Sequence, residues 1–306
     1  MTRLDTFQAQ RPHLLSIAYR MLGEMGAAED VAQEAWLRWE RAAGAEIRDP
    51  RAWLSAVTVR LALDALRKAR ARRETYVGPW LPEPLLPDDM RALAADAPAA
   101  RADLASDLSL ALLHVLERLS PEERAALILH DAFDCDYATI AQTLEKSEAA
   151  CRKLISRARE RVREGRPRFQ ASAEQHRDLL TRFAKASASA DEVELMALLA
   201  PDAIAFTDGG GRVAAALNPI HGADRIARFV IGLGRKFYTG VPIEMTATEI
   251  NGRPGLVLRG QDTLFGALTI ESDGTRITAL YAVRNPDKLQ RVPAATGRPP
   301  ATHTTP

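Results

Sequence analysis

Arg152, Lys153, Arg157, Arg159, Arg161, Arg163, Arg166 and Arg168 crowd together between positions 152 and 168, opposed only by Glu160 and Glu164. In the same stretch Cys151, Ile155, Ala158 and Val162 recur at i, i+4, i+7 and i+11, the spacing of one buried helical edge. That edge turns Arg152, Lys153, Ser156, Arg157, Arg159 and Arg163 toward other faces. The chemistry on offer is charge and hydrogen bonding. Arginine forks suit guanine edges and phosphates alike. Arg152, Lys153, Ser156 and Arg157, with Glu148 near the helix start, are the candidates for reading bases in a major groove. Arg159 and Arg163 are candidates for holding phosphate, or only water. A solvated amphipathic helix produces the same pattern, and the helix by itself leaves both readings open.

Other residues with chemical potential are spread along the chain. On a helix expected after Gly26, Val31, Ala35, Trp36 and Trp39 form an apolar face, and Glu29, Asp30, Gln33, Glu34 and Arg38 an acidic-polar one. That polar face is either an interface or a solvated surface supported by i,i+4 pairs such as Glu34–Arg38. A second basic run, Arg67, Lys68, Arg70, Arg72 and Arg73, ends a helix that starts at Pro50 or Arg51. The helix dipole alone accounts for basic residues there. Trp53 shares its apolar face with Leu54 and Val57 and is expected in the core. Farther on, Asp208, His221, Tyr238, Asp262 and Tyr281 are the titratable candidates for catalysis, but no two have a spacing that argues acid–base work. The Asp208-Gly209-Gly210-Gly211 turn lacks the Lys-Ser/Thr of a phosphate loop. Cys135 and Cys151 match no metal or redox spacing and are expected as buried small hydrophobes. No metal and no cofactor is implied.

The elements that position these groups can be read in order. The 306 residues allow two or three domains, and 46% hydrophobic with 26% charged residues is ordinary for a globular protein. The formal net charge is only +1, but the charges are segregated. Nothing approaches the roughly 20 apolar residues of a membrane span, and no signal peptide is apparent, so a cytoplasmic protein is expected. Residues 1–75 read as helix, with Phe7, Leu14, Leu15, Ala18, Met21 and Leu22 on one stripe and a stop near Gly23. Pro79, Pro82, Pro84, Pro87 and Pro98 mark residues 76–105 as extended, loop-like chain. Within it Trp80, Leu81, Pro82, Glu83 and Pro84 are expected to pack against something, since an exposed tryptophan in a linker is unusual. Asp136 to Leu144, with Ile140, Ala141 and Leu144 on one face, and the arginine helix capped by Ser147 form a helix-turn-helix pattern. From about Glu174 two helices precede strand-like runs at 203–207, 213–217, 243–250, 255–258, 263–270 and 277–283. Turn signals stand at Asp208-Gly209, Asn251-Gly252 and Asp273-Gly274. Helices followed by a curved antiparallel sheet make an α+β domain.

The succession AEDVAQEAWLR and DPRAWLSAVTVRLALDALRKARARR resembles region 2 of the extracytoplasmic-function sigma factors of bacterial RNA polymerase. LERLSPEERAALILHDAFD with the Asp136–Arg163 segment resembles region 4 of the same family. The C-terminal part is similar to the SnoaL-like cone, a fold related to ketosteroid isomerases. Trp80–Pro84, Asp208–Gly211 with Arg212, and Asn285-Pro286-Asp287-Lys288-Leu289 are short signatures of the SigJ-like subgroup, which fuses such a cone to the sigma core. The expected architecture is therefore multidomain: two all-α sigma domains followed by an α+β cone. Its divisions are region 2 at 1–75, linker at 76–105, region 4 at 106–168, SnoaL-like domain at 172–290 and disordered tail at 291–306.

The resemblance implies a promoter-specificity subunit whose partners are RNA polymerase core and promoter DNA, with no membrane and no separate anti-sigma factor required. It implies minus-35 contacts by Glu148, Arg152, Lys153, Ser156, Arg157 and Arg159. Minus-10 contacts would fall to Arg48, Asp49, Arg51, Arg60, Arg67 and Lys68, and core-polymerase docking to Asp30, Gln33 and Glu34. Trp80, Leu81, Pro82, Glu83, Pro84, Asp208, Gly209, Gly210, Gly211, Asn285, Pro286, Asp287, Lys288 and Leu289 would make the cis-regulatory contacts. Two positions depart from the pattern. Glu145 stands where glycine is common in the turn, at a cost of up to about 1 kcal/mol if the backbone is left-handed there. Arg212 stands where a lysine often follows the glycines, which keeps the charge. A small-molecule sensor or enzyme carrying a DNA-binding module, and a plain helix-turn-helix repressor, are the competing readings.

Overall fold

Local chemistry sets the first helices. The Thr2 hydroxyl accepts from the Asp5 amide at 3.0 Å and Asp5 answers the Thr2 amide at 2.8 Å, a capping box that starts α1 (Arg3–Leu22). Phe7, Leu14, Leu15, Ala18, Met21 and Leu22 are all buried on it, and Gly23 ends it with a φ of 72°. Next come α2 (Met25–Arg41) and α3 (Pro50–Arg73), in which the Asp49 carboxylate accepts from the Ala52 amide at 3.0 Å. The computed structural model describes residues 2–42, 47–73, 75–94, 108–165, 171–237, 240–260 and 263–293.

The proline-rich segment differs from the extended loop expected. Residues 81–85 are buried throughout, and Pro87, at the first helical position, opens a short helix α4 (Pro87–Leu93). Farther on lie α5 (Leu110–Leu116) and α6 (Pro121–Leu127), the latter running into a π turn at Ile128–Ala132. The helix-turn-helix pair is α7 (Tyr137–Leu144) and α8 (Glu148–Gly165). The two helical blocks do not keep separate cores. Leu15, Met21 and Leu63 from the first share one apolar cluster with Leu113, Ile128, Ile140 and Ile155 from the second. Cys151 is buried as expected, whereas Cys135 is only half-buried.

The C-terminal part opens with α9 (Ala173–Ser189) and α10 (Glu192–Leu198). Then follow β1 (Leu199–Asp208), β2 (Ile220–His221), α11 (Ala223–Phe237), β3 (Ile243–Ile250), β4 (Arg253–Gly260), β5 (Thr263–Ser272) and β6 (Ile277–Val283). A 3₁₀ turn, Pro286–Lys288, follows the last strand. The sheet order is β2-β1-β6-β5-β4-β3. Its β1–β6 pairing is parallel, so the sheet is mixed and not antiparallel throughout. Nor does the Asp208-Gly209 turn make a hairpin. Residues 213–217 form no strand, and the next strand, β2, begins at Ile220. Asn251 and Gly252, with φ of 52° and 71°, do form a two-residue hairpin between β3 and β4.

Alternation along the strands gives the sheet two apolar faces. Ala205, Leu268 and Leu280 face α9–α11 in the domain's own core. Phe206, Ala267, Tyr281 and Val283 face the other way and pack with Leu81 of the proline-rich segment and Leu110 and Ala111 of α5. The helical half of the chain thus covers the sheet's second face.

Candidate nucleic-acid interface and its latch

Asp136 caps α7 by accepting from the Thr139 amide at 2.8 Å, and Ser147 caps α8 by accepting from the Ala150 amide at 3.2 Å. Glu145 between them adopts φ 56° and ψ 45°, the left-handed conformation that glycine takes without strain. Cys151, Ile155, Ala158 and Val162 are all buried, which leaves Glu148, Arg152, Lys153, Ser156, Arg157 and Arg159 exposed together along α8. Their charges are partly held in place. Arg152 pairs with Glu148 at 2.8 Å and its guanidinium stacks over Tyr137 at 4.8 Å. The buried Glu123 carboxylate receives Arg161 at 2.5 Å and lies 3.6 Å from Arg157. Arg159 donates to Asp131 at 2.5 Å. Burial pushes the Asp131 carboxyl up, but the hydrogen bonds from Arg159 and His130 outweigh it and hold the group below its ordinary range.

In the first block Arg48, Asp49 and Arg51 lie exposed at the start of α3, and Lys68 is exposed near its end. Arg60 and Arg67 on the same helix are engaged by the second block. Arg60 Nε donates to the Thr143 carbonyl at 3.3 Å, and Arg67 pairs with Glu122 at 2.7 Å. Arg70, Arg72, Arg73, Arg166 and Arg168 have side chains outside the described residues. On α2, Asp30 and Gln33 are exposed and Glu34 pairs with Arg38 at 3.1 Å. Trp53 packs against Trp39 with ring centroids 5.5 Å apart, in the small core with Phe7 and Leu54.

The three short signatures meet at one buried carboxylate. Asp208, 0% exposed, accepts from the Tyr76 hydroxyl at 2.5 Å, the Leu81 amide at 2.8 Å, the Gly210 amide at 3.1 Å and Lys288 Nζ at 2.6 Å. Lys288 Nζ also reaches the Leu81 carbonyl at 2.5 Å and sits 4.0 Å from the centre of the Trp80 ring. Asn285 donates to the Tyr76 hydroxyl at 2.9 Å, while its own backbone amide bonds the Asp208 carbonyl at 2.8 Å. Burial, and then the hydrogen bond to Asp208, push the Tyr76 phenol well above its ordinary value. Arg212 and Asp287 pair at 3.2 Å on the surface beside this centre. Gly210 and Gly211 have φ of 59° and 70°, and a side-chain carbon on them would run into Asn285 and Val77 respectively. Gly209 is equally crowded, by the Val213 carbonyl and Ala215. The triple glycine lets the turn close on Tyr76–Leu81 and on Asn285. Leu289 is buried with Val292 against the sheet, and Pro286 and Asp287 are exposed.

A second knot ties the same segment to α1 and α2. The Glu83 amide donates to the Gly23 carbonyl at 2.8 Å, and the Glu83 carboxylate receives the Met25 amide at 2.6 Å. Burial pushes the Glu83 carboxyl up. The buried Tyr19 hydroxyl donates to the Glu83 carbonyl at 2.6 Å and accepts from Asn251 at 2.9 Å, and Asn251 Oδ1 receives the Leu85 amide at 3.0 Å. Pro82 and Pro84 are buried among these bonds, where their lack of an amide leaves no donor unpaired. Arg291 pairs with Glu29, lies 3.4 Å from Asp89 and 3.6 Å from Glu83. Expected as the first residue of a disordered tail, it is instead tied to three carboxylates.

Tyr19, Tyr76 and Arg291 were not singled out by sequence reasoning, and Asn251 was read only as a hairpin turn residue. An isolated tyrosine and a lone arginine carry no pattern, and a turn signal says nothing of what the asparagine side chain bonds. Of the catalytic candidates, Asp208 is consumed by the latch and His221 is exposed on β2. Tyr281 stacks on Phe206 at 5.4 Å beneath His114 of α5. Tyr238 and Asp262 lie outside the described residues. None of the described candidates lines the cavity between α9, α11 and the sheet.

Two helical blocks, the second presenting an exposed arginine-rich helix, followed by a linker and a cone-like α+β domain, are the architecture of a sigma factor with a C-terminal extension. Residues 6–72 match the family model for Sigma-70 region 2, and residues 109–162 that for Sigma-70, region 4. The chain is 38% identical over 300 residues to the ECF RNA polymerase sigma factor SigJ of Mycobacterium tuberculosis, spanning 95% of this chain and 94% of that protein. It is 31% identical over 293 residues to the probable ECF RNA polymerase sigma factor SigI of the same species, spanning 95% and 96%. The crystal structure of Mycobacterium tuberculosis SigJ superposes with a TM-score of 0.73 at 35% identity, covering 94% of this chain and 98% of that one. The chain belongs to the extracytoplasmic-function sigma factors of RNA polymerase, and is a transcription initiation factor rather than an enzyme. No helix among the described residues is long and apolar enough to cross a membrane.

Proposed function

We propose that this chain directs core RNA polymerase, in the cytoplasm, to a defined set of promoters, and that its C-terminal domain governs in cis where the two DNA-binding blocks sit. The units on this reading are region 2 at 1–75, the linker at 76–105, region 4 at 106–168 and the regulatory domain at 172–290. The exposed row Glu148, Arg152, Lys153, Ser156, Arg157 and Arg159 serves the minus-35 element. Arg48, Asp49, Arg51, Arg60, Arg67 and Lys68 serve the minus-10 element, and Asp30, Gln33 and Glu34 meet the polymerase core.

The observation that carries the cis reading is the buried Asp208 carboxylate, which binds Tyr76 and Leu81 of the linker and Lys288 of the C-terminal end at once. A fused domain that already grips the linker makes a separate anti-sigma factor unnecessary. The engagement of Arg60 and Arg67 by the second block supports the same reading. Both side chains are exposed but each already holds a partner in the second block, so gripping a DNA strand means exchanging that partner.

The test is reconstituted transcription with core polymerase. The full chain supports initiation at a defined promoter, and Arg152→Ala lowers promoter binding by the loss of about 1–3 kcal/mol for a base-reading contact. Deleting residues 285–306 changes the output of the same promoter. Unchanged output after that deletion rules out the cis reading; no initiation with any form of the chain rules out the sigma reading.

A further inference from the structure

The exposed face of α8 is flanked on both edges by carboxylates that come from other elements. Residues two apart on a helix point to nearly opposite sides, so Arg157 and Arg161 share one edge of that face and Arg159 lies on the other. Lys153, Ser156 and Arg163 lie exposed between the edges. On the first edge Glu123 of α6, its side chain 5% exposed, receives Arg161 at 2.5 Å and lies 3.6 Å from Arg157. On the second edge Asp131 of the π turn takes Arg159 with both oxygens, Nε at 3.1 Å and a terminal nitrogen at 2.5 Å. His130 stands 3.0 Å from the same guanidinium. A bidentate pairing of this kind fixes the plane of the guanidinium as well as its place. Arg157, Arg159 and Arg161 nevertheless stay 60%, 44% and 48% exposed, within reach of a phosphate.

We propose that Glu123 and Asp131 restrain the sequence-independent grip of α8 on DNA: they hold the edge arginines and leave binding to depend on the row between them. The inference rests on the reading of α8 as a DNA-binding helix. An arginine adds to nonspecific affinity by neutralising a phosphate and releasing its counterion, and a guanidinium already neutralised by a carboxylate has less to add. Specificity is a difference of affinities, so weakening the contacts that every sequence offers widens it. Glu123 has a second duty, because its carboxylate accepts from the Ser120 amide at 3.0 Å in the capping box of α6. Glutamine performs that duty at the same position without charge, so Glu123→Gln removes the restraint and keeps the cap.

The test uses the full chain and a fluorescein-labelled duplex of mixed sequence, about 30 base pairs long, with anisotropy read from about 50 to 200 mM KCl. Asp131→Asn frees Arg159 for one further phosphate, so the slope of log K against log salt steepens by about 0.9, and about threefold more affinity is lost over that range. Glu123→Gln steepens it by up to about twice as much, since two arginines are released. Adding Arg159→Ala to Asp131→Asn returns the slope to wild type. Glu192→Gln, the same change of charge at an exposed position in the first turn of α10, leaves slope and affinity unchanged. Circular dichroism checks that each variant is folded, and if Glu123→Gln is not, the Asp131→Asn arms decide alone. A slope for Asp131→Asn within about 0.3 of wild type overturns the proposal. So does an equal effect of Glu192→Gln, a steepened slope that survives Arg159→Ala, or no duplex binding by any form of the chain. If the chain initiates transcription but the slopes do not respond, the restraint falls and the promoter reading stands. If the slopes respond and no form initiates, the promoter reading falls and the restraint stands.

Discussion

Replacing Lys288 by methionine is the most direct strain on the latch. The substitution keeps most of the side-chain volume and removes the cation that pairs with Asp208, at a place where the lysine side chain is 6% exposed and the aspartate 0%. Breaking a buried ion pair from one side costs about 3–5 kcal/mol, because the other charge stays behind without compensation. Here Asp208 keeps the Tyr76 hydroxyl and the Leu81 and Gly210 amides, so the lower end, about 3 kcal/mol, applies. The Leu81 carbonyl loses its lysine donor at the same time. A loss of about 3 kcal/mol in the opening free energy of the linker is about a hundredfold rise in amide exchange. Native-state hydrogen exchange on the full chain reads this directly, at the Leu81 amide bonded to Asp208 and at the Leu85 amide bonded to Asn251. Adding Asp208→Asn to Lys288→Met removes the stranded charge and restores part of the protection. Exchange across residues 81–85 that stays within about twofold of wild type in a folded Lys288→Met protein refutes the latch as described.

Three further outcomes are expected. Gly210→Ala, at φ 59° and against Asn285, lowers the melting temperature by the equivalent of about 1–2 kcal/mol, whereas Gly26→Ala, in α2 with open space around it, leaves it unchanged or raises it; equal effects contradict the turn geometry. Glu145→Gly removes left-handed strain between α7 and α8 and stabilises the protein by up to about 1 kcal/mol, so a lower midpoint in urea counts against the observed conformation. Burial pushes His114 down to about 4, and its neutral ring packs on Phe206. Because the folded value lies below the unfolded one, this stabilisation is complete above about pH 6.5 and is lost as pH falls toward 4. His114→Phe therefore flattens the stability profile between pH 7 and 5, and an unchanged slope refutes the assignment.

Much of the helical half was legible from periodicity. Phe7 through Leu22, and Cys151 through Val162, bury the faces their spacing marks, because an amphipathic helix can hide only one stripe. Glu145 stood out only as a departure where glycine is common, costly if the backbone is left-handed, and the backbone there is left-handed. The mixed sheet was not legible. Hydrophobic alternation shows that β1 is a strand but not that it pairs with β6 in parallel, a partner more than 70 residues away that no turn signal announces. The latch was half legible: its three signatures stand out as short motifs, but Tyr76, which bonds to two of them, does not, and Asn251 stands out only as a turn residue.

By itself the sequence determined the family and the order of the blocks, through the resemblance of its motif blocks, and the arginine row on α8 with the helical stripes that orient it, since these depend on spacing within one element. Only the tertiary structure decided that Asp208 is a structural anion and not a catalytic base, that Arg60 and Arg67 are occupied by the second block, and that the sheet's second face is covered by the linker and α5. The physical reason is common to all three. A charge or an apolar face is defined by whatever lies within a few ångströms of it, and here those neighbours come from segments far apart along the chain.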